Sequence, residues 1–86
     1  MIRVYSINNC PYCQELKGLL VEDKIEFEDI NVDLPENEKE FADIAKIAES
    51  EVVPMVKIGN KLLVPNRTFH TIVEGHLLIK KLLSGE

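Results

Sequence analysis

An α/β fold of order βαβαββα, with a short additional helix at the C-terminus, is predicted for this sequence by three observations. The runs Ile2 to Ile7 and Ile25 to Val32 are strand-like and lie on either side of a helical pattern. They form a βαβ unit, which implies parallel strands and a right-handed crossover. Two further strand-like runs, Met55 to Ile58 and Lys61 to Val64, flank Gly59-Asn60 as a hairpin does. Helical patterns fill the space between these pairs and follow the second one.

Each element has a local reason. Ile2-Arg3-Val4-Tyr5-Ser6-Ile7 alternates and is rich in β-branched and aromatic residues. Asn8-Asn9 then marks a turn. Pro11 suits the first position of a helix, where its missing N–H costs nothing. That helix runs to about Asp23, with Tyr12, Leu16, Leu19 and Leu20 on one stripe. Asp33-Leu34-Pro35 opens a second helix, with Asp33 as its cap and Phe41, Ile44, Ala45 and Ala48 as its buried face. After the hairpin, Asn66 or Thr68 caps a third helix bearing Phe69, Ile72 and Val73. Gly75 is expected to end it as a left-handed residue, leaving Leu77 to Leu83 as the short last helix. The alternative is one continuous helix that tolerates Gly75 at a cost of ~1 kcal/mol.

Residues 1–86 are read as one domain, with no repeats, linkers or low-complexity segments. Ten basic and 15 acidic residues give a net charge of −5, which argues against a general nucleic-acid or membrane binder. No apolar run approaches the ~20 residues of a membrane span. The N-terminus enters a strand directly, without the pattern of a secretory leader, so a reducing, cytoplasmic setting is expected. In such a setting two cysteines point to catalysis or metal binding more than to a permanent cross-link.

The only two cysteines stand in Cys10-Pro11-Tyr12-Cys13, where a strand gives way to a helix. The first turn of a helix presents unpaired N–H groups and the positive end of the dipole, and both favour a thiolate. Thiols so placed have pKa values lowered from ~8.5 to roughly 3.5–7.5. The second thiol lies within reach of the first and can displace what the first has captured.

Tyr5-Ser6, Cys10-Pro11-Tyr12-Cys13, Leu16-Lys17, Val53-Pro54 and Gly75-His76-Leu77 together make the chain resemble a glutaredoxin of the dithiol CPYC type, over nearly its whole length. The resemblance implies a thioredoxin-like fold: a four-stranded mixed sheet with helices on both faces. It implies that Cys10 is the nucleophile and Cys13 the resolving thiol, and that the Val53–Pro54 bond is cis. Lys17 would favour the thiolate. Tyr12, Val53, Pro54, Arg67 and Thr68 would bind glutathione or the substrate. The implied activity is glutathione-linked reduction of protein disulfides and protein–glutathione mixed disulfides. No bound cofactor or metal is implied; glutathione is a co-substrate. The partners are disulfide-containing proteins, with no nucleic acid or membrane, and the chain is a monomer.

Three positions depart from the family pattern. Ile7 stands where a lysine usually holds a glutathione carboxylate, Val64-Pro65 stands for Gly-Gly, and Asn66-Arg67-Thr68 lacks the usual acidic residue. An alternative therefore stands beside the first reading: a glutaredoxin-like redoxin, reduced by thioredoxin reductase and donating electrons to ribonucleotide reductase. Two other classes are a small zinc module built from Cys10, Cys13, His70 and His76, and a redox-inert binding domain. Lys57, Lys61 and Arg67 are expected near the cysteine end, so that a partner would be acidic beside its disulfide.

Overall fold

The computed structural model describes residues 2–85. In chain order its elements are β1 (Ile2–Ser6), α1 (Pro11–Glu22), β2 (Glu28–Asn31), a 3-10 turn (Pro35–Asn37), α2 (Glu38–Ala48), β3 (Met55–Ile58), β4 (Lys61–Leu63) and α3 (Ile72–Leu83). The four strands form one mixed sheet in the order β2-β1-β3-β4. β1 runs parallel to β2, with Arg3 facing Glu28. β3 runs antiparallel to both β1 and β4.

The two-residue period of the strands divides the core. Ile2, Val4, Val56 and Leu63 face Leu16, Leu20 and Ile79, which α1 and α3 supply. Tyr5, Met55 and Val64 face Ile44 and Ala48 of α2. Helices thus cover both faces. Register then fixes the two ends of the molecule. Tyr5 faces Met55, so the C-terminal end of β1 and the Val53-Pro54 segment before β3 share one end with Cys10. Lys57 faces Arg3, and Lys61 faces Ile58, which itself faces Ile2. Both lysines therefore lie toward the opposite end, against expectation.

Both outer strands are short and charged. β2 has four residues and exposes Glu28 and Asp29. β4 has three and exposes Lys61.

Several boundaries differ from the sequence reading, each for a visible reason. The second strand starts at Glu28 because the Ile25 N–H closes the end of α1 on Leu20 O, at 2.9 Å, with Lys24 in the left-handed region (φ 57°). Asp33 does not cap α2. Its carboxylate accepts the Asn8 N–H at 2.7 Å, and a 3-10 turn intervenes before Glu38. The third helix starts after Thr71, whose hydroxyl accepts the Glu74 N–H at 3.1 Å; Asn66, Thr68 and Phe69 precede it. Gly75 does not end that helix, and among the described residues no separate last helix follows. α3 is continuous because a Cβ at Gly75 would meet the buried Phe69 ring at 3.0–3.2 Å, so glycine serves packing here.

One polar cluster anchors α2 to the sheet. Arg3 donates to both Glu40 carboxylate oxygens at 2.9 Å, and the Tyr5 hydroxyl donates to Glu40 Oε2 at 2.7 Å. The Arg3 hydrogen bonds hold the Glu40 carboxyl below its ordinary value, while burial pushes the Tyr5 phenol up to about 12. A carboxylate with a depressed folded-state pKa stabilises the fold above its unfolded value, and that contribution disappears as pH falls through the folded value. Urea-unfolding midpoints should therefore drop once pH passes below ~4.3, the ordinary glutamate value. Glu40→Gln should lower the midpoint at neutral pH and flatten this acid limb. An unchanged acid limb in the variant would remove Glu40 from the account.

Among the described residues, no helix is long and apolar enough to cross a membrane.

Candidate active site

The loop after β1 delivers Cys10 to the mouth of α1. Cys10 is the N-cap residue (φ −111°, ψ 100°), and Pro11 follows at the start of the helix. The Cys13 N–H donates to Cys10 Sγ at 3.2 Å, so the sulfur takes the place of a capping oxygen. Cys10 and Cys13 are joined as a disulfide with their Cα atoms 5.2 Å apart. Cys10 retains 7% exposure and Cys13 none. Of the two residues, Cys10 is thus the one that solvent reaches.

A polar brace holds the loop in place. Asn31 Nδ2 donates to Asn8 Oδ1 at 2.9 Å, the Asp33 N–H donates to Asn31 Oδ1 at 2.9 Å, and Asp33 in turn accepts the Asn8 N–H. Sequence reasoning missed this brace; its signal was the Asn/Asp content of residues 8, 9, 31 and 33.

An open groove of about 470 Å³ runs beside the helix mouth, within the ~300–1,000 Å³ range of ligand sites. Tyr12, Val53 and Pro54 line it, together with Pro65, Phe69 and Val73. The Val53–Pro54 bond is cis, as the resemblance implies. Val53 lies outside every strand, and no partner among the described residues takes up its N–H or C=O. Three of the expected binding residues are therefore brought together.

The other site residues are not. Lys17 pairs with Asp29 at 2.9 Å, and Asp29 also accepts the hydroxyl of buried Ser6 at 2.8 Å. The Thr68 hydroxyl accepts the Val64 N–H at 3.0 Å. Arg67 turns away from the groove. Its guanidinium donates to the carbonyl oxygens of Ala48 and Glu49, at the C-terminal end of α2, where a cation also meets the negative end of the dipole. Arg67→Ala should therefore destabilise the fold, toward the lower end of the ~1.5–3 kcal/mol of charge-assisted hydrogen bonds because the side chain is largely exposed. Thermal unfolding checks the stability change; a raised KM for glutathione-bearing substrates with unchanged stability would contradict it. His76 is drawn to Asp23 at 2.6 Å, and among the described residues no group of three or more metal-ligating side chains forms.

The glutaredoxin family model matches residues 2–63. This chain belongs to the glutaredoxin family. It is 31% identical over 64 residues to an uncharacterised glutaredoxin-like protein of the rubredoxin operon of Clostridium pasteurianum, covering 74% of this chain and 83% of that one. The structure of reduced glutaredoxin C1 from Populus tremula x tremuloides superposes with a TM-score of 0.71 at 27% identity, covering 94% of this chain and 68% of that one. The glutaredoxin-like NrdH-redoxin of Escherichia coli, described for a thioredoxin-like activity profile, gives a TM-score of 0.61 at 27% identity, covering 78% and 84%. The fold is thus the thioredoxin-like fold of glutaredoxins. Glutaredoxins are thiol–disulfide oxidoreductases, and the redox-active cysteine pair of the family stands here as Cys10 and Cys13.

Proposed function

We propose that this glutaredoxin-family enzyme reduces disulfides of protein substrates through a dithiol exchange, with Cys10 as attacking and Cys13 as resolving sulfur. The observation that carries the assignment is the Cys13 N–H aimed at Cys10 Sγ. In the reduced state that donor stabilises the charge of a Cys10 thiolate. The thiolate attacks one sulfur of the substrate disulfide, a new S–S bond forms, and the other substrate sulfur leaves as a thiolate. Cys13, deprotonated, then attacks Cys10 Sγ. The Cys10–Cys13 bond forms, the second substrate sulfur leaves, and two electrons have passed to the substrate. Val53, with its main-chain groups unengaged, pairs with the extended backbone of the bound segment.

The reductant that reloads the pair is open to two readings. The CPYC form of the cysteine motif favours glutathione. Against tight glutathione binding, Arg67 is committed to α2, Pro65 offers no N–H, and no lysine or arginine lines the groove. These features favour the redoxin reading, with thioredoxin reductase as reductant and ribonucleotide reductase as an acceptor. The experiment is to present the oxidised protein with glutathione plus its reductase, or with thioredoxin reductase, and follow NADPH consumption. Faster reloading by thioredoxin reductase supports the redoxin reading; faster reloading by glutathione returns the first.

A further inference from the structure

We infer that the groove beside the helix mouth receives an extended partner segment that is apolar next to its disulfide cysteine and carries lysine or arginine within a residue or two. The inference rests on Cys10 being the attacking sulfur and adds the chemistry of what docks there.

Shape and charge both contribute. The walls are mostly apolar, and Tyr12, Val52 and Val73 keep 65%, 46% and 55% of their surface exposed there. Exposed apolar side chains around a groove mark a surface that a partner covers. Among the described residues, the one fixed charge that lines the groove is acidic. Glu15 lines the groove on α1 and is exposed.

The cations that sequence proximity offers do not line the groove beside it. Arg67 is held by the Ala48 and Glu49 carbonyls, Lys17 by Asp29, and Lys57 and Lys61 lie toward the other end of the sheet. His70 also lines the groove, and its backbone N–H donates to the Glu74 carboxylate at 2.7 Å. The resulting field attracts a basic segment and repels an anionic one, glutathione included. The partner chemistry is thus opposite in sign to the one that sequence order alone indicates.

The test uses the pre-reduced full chain and two synthetic peptide disulfides. They are identical apart from lysines or glutamates beside the cysteines, and oxidised glutathione serves as a third substrate. Second-order exchange rates are taken by stopped flow near pH ~8, where an ordinary histidine is neutral. At low salt the lysine peptide should react at least about tenfold faster than the glutamate peptide, the low end of electrostatic steering. The ratio should collapse in ~1 M salt, where the screening length is ~3 Å. Within Glu15→Lys the ratio should shift toward the glutamate peptide. Equal rates for the two peptides, a ratio indifferent to Glu15→Lys, or oxidised glutathione outpacing the lysine peptide would overturn the inference. A small neutral disulfide separates the two levels of the argument. If it is reduced while the peptide ratio is unity, only the charge preference falls. If it is not reduced either, the assignment of Cys10 falls with it.

Discussion

Serine at position 10 is expected to reduce protein-disulfide turnover to the uncatalysed background. The reacting species is a thiolate, and the Cys13 N–H at 3.2 Å has no comparable nucleophile to stabilise once the sulfur is replaced by a hydroxyl. Serine is also a good N-cap, so α1 should keep its start and the variant its fold. Loss of activity with an unchanged unfolding midpoint separates chemistry from structure. Cys13→Ser should behave differently. Its Cys10 still captures a substrate, but the wholly buried partner that would release it is gone. Protein disulfide reduction should stop at a mixed disulfide, visible as a mass increment on intact protein under non-reducing conditions. Activity retained in Cys10→Ser, or trapping on Cys13 in place of Cys10, would reverse the two roles.

The second large effect belongs to Gly75. Any side chain there starts with a Cβ 3.0 Å from the Phe69 ring, inside the ~3.5–4.0 Å of comfortable carbon contact. Phe69 is 2% exposed and sits within the core between the sheet and α1–α3, so it has little room to yield. Overpacking of this kind costs ~1–3 kcal/mol. Alanine would recover up to ~1 kcal/mol of helix propensity. Gly75→Ala should thus be near neutral or mildly destabilising, and Gly75→Leu should lose ~2–3 kcal/mol. Gly18 is the control. It lies inside α1 with nothing within 4 Å of a built Cβ, and Gly18→Ala should gain ~1 kcal/mol. Urea midpoints of the three variants against the parent give the ordering, and a stabilised Gly75→Leu would contradict it.

These two sites also show what the sequence makes legible. The start of α1 at Pro11, the hairpin across Gly59-Asn60 and the layout of the Cys10–Cys13 pair rest on signals a few residues long, and the structure has all three. Gly75 resists such reading because its local penalty is outweighed by Phe69, which precedes the helix and whose position is set by the fold. Arg67 resists it more strongly. Its partners lie 18 and 19 residues away, and nothing near Arg67 marks the end of α2 as its destination. The start of α3 was readable. Thr71-Ile72-Val73-Glu74 has the spacing of a capping box, and the Thr71 hydroxyl does accept the Glu74 N–H. Glu74 then closes on the His70 N–H in place of that of Thr71. The positions of Lys57 and Lys61 resist such reading for the same long-range reason: strand register, absent from any short window, carries both away from the cysteine end.

The brevity of the outer strands governs how this molecule behaves in a crowd. A protein that greets clients by lending them unpaired backbone runs the hazard of zipping onto its own copies. In the binding mode proposed above the lending falls to a bend before β3, while the two flanks of the sheet offer only three or four rungs each, guarded by Lys61 on one side and by Glu28 and Asp29 on the other. The sheet can thus stay sociable at one end without becoming a seed for fibrils along its sides.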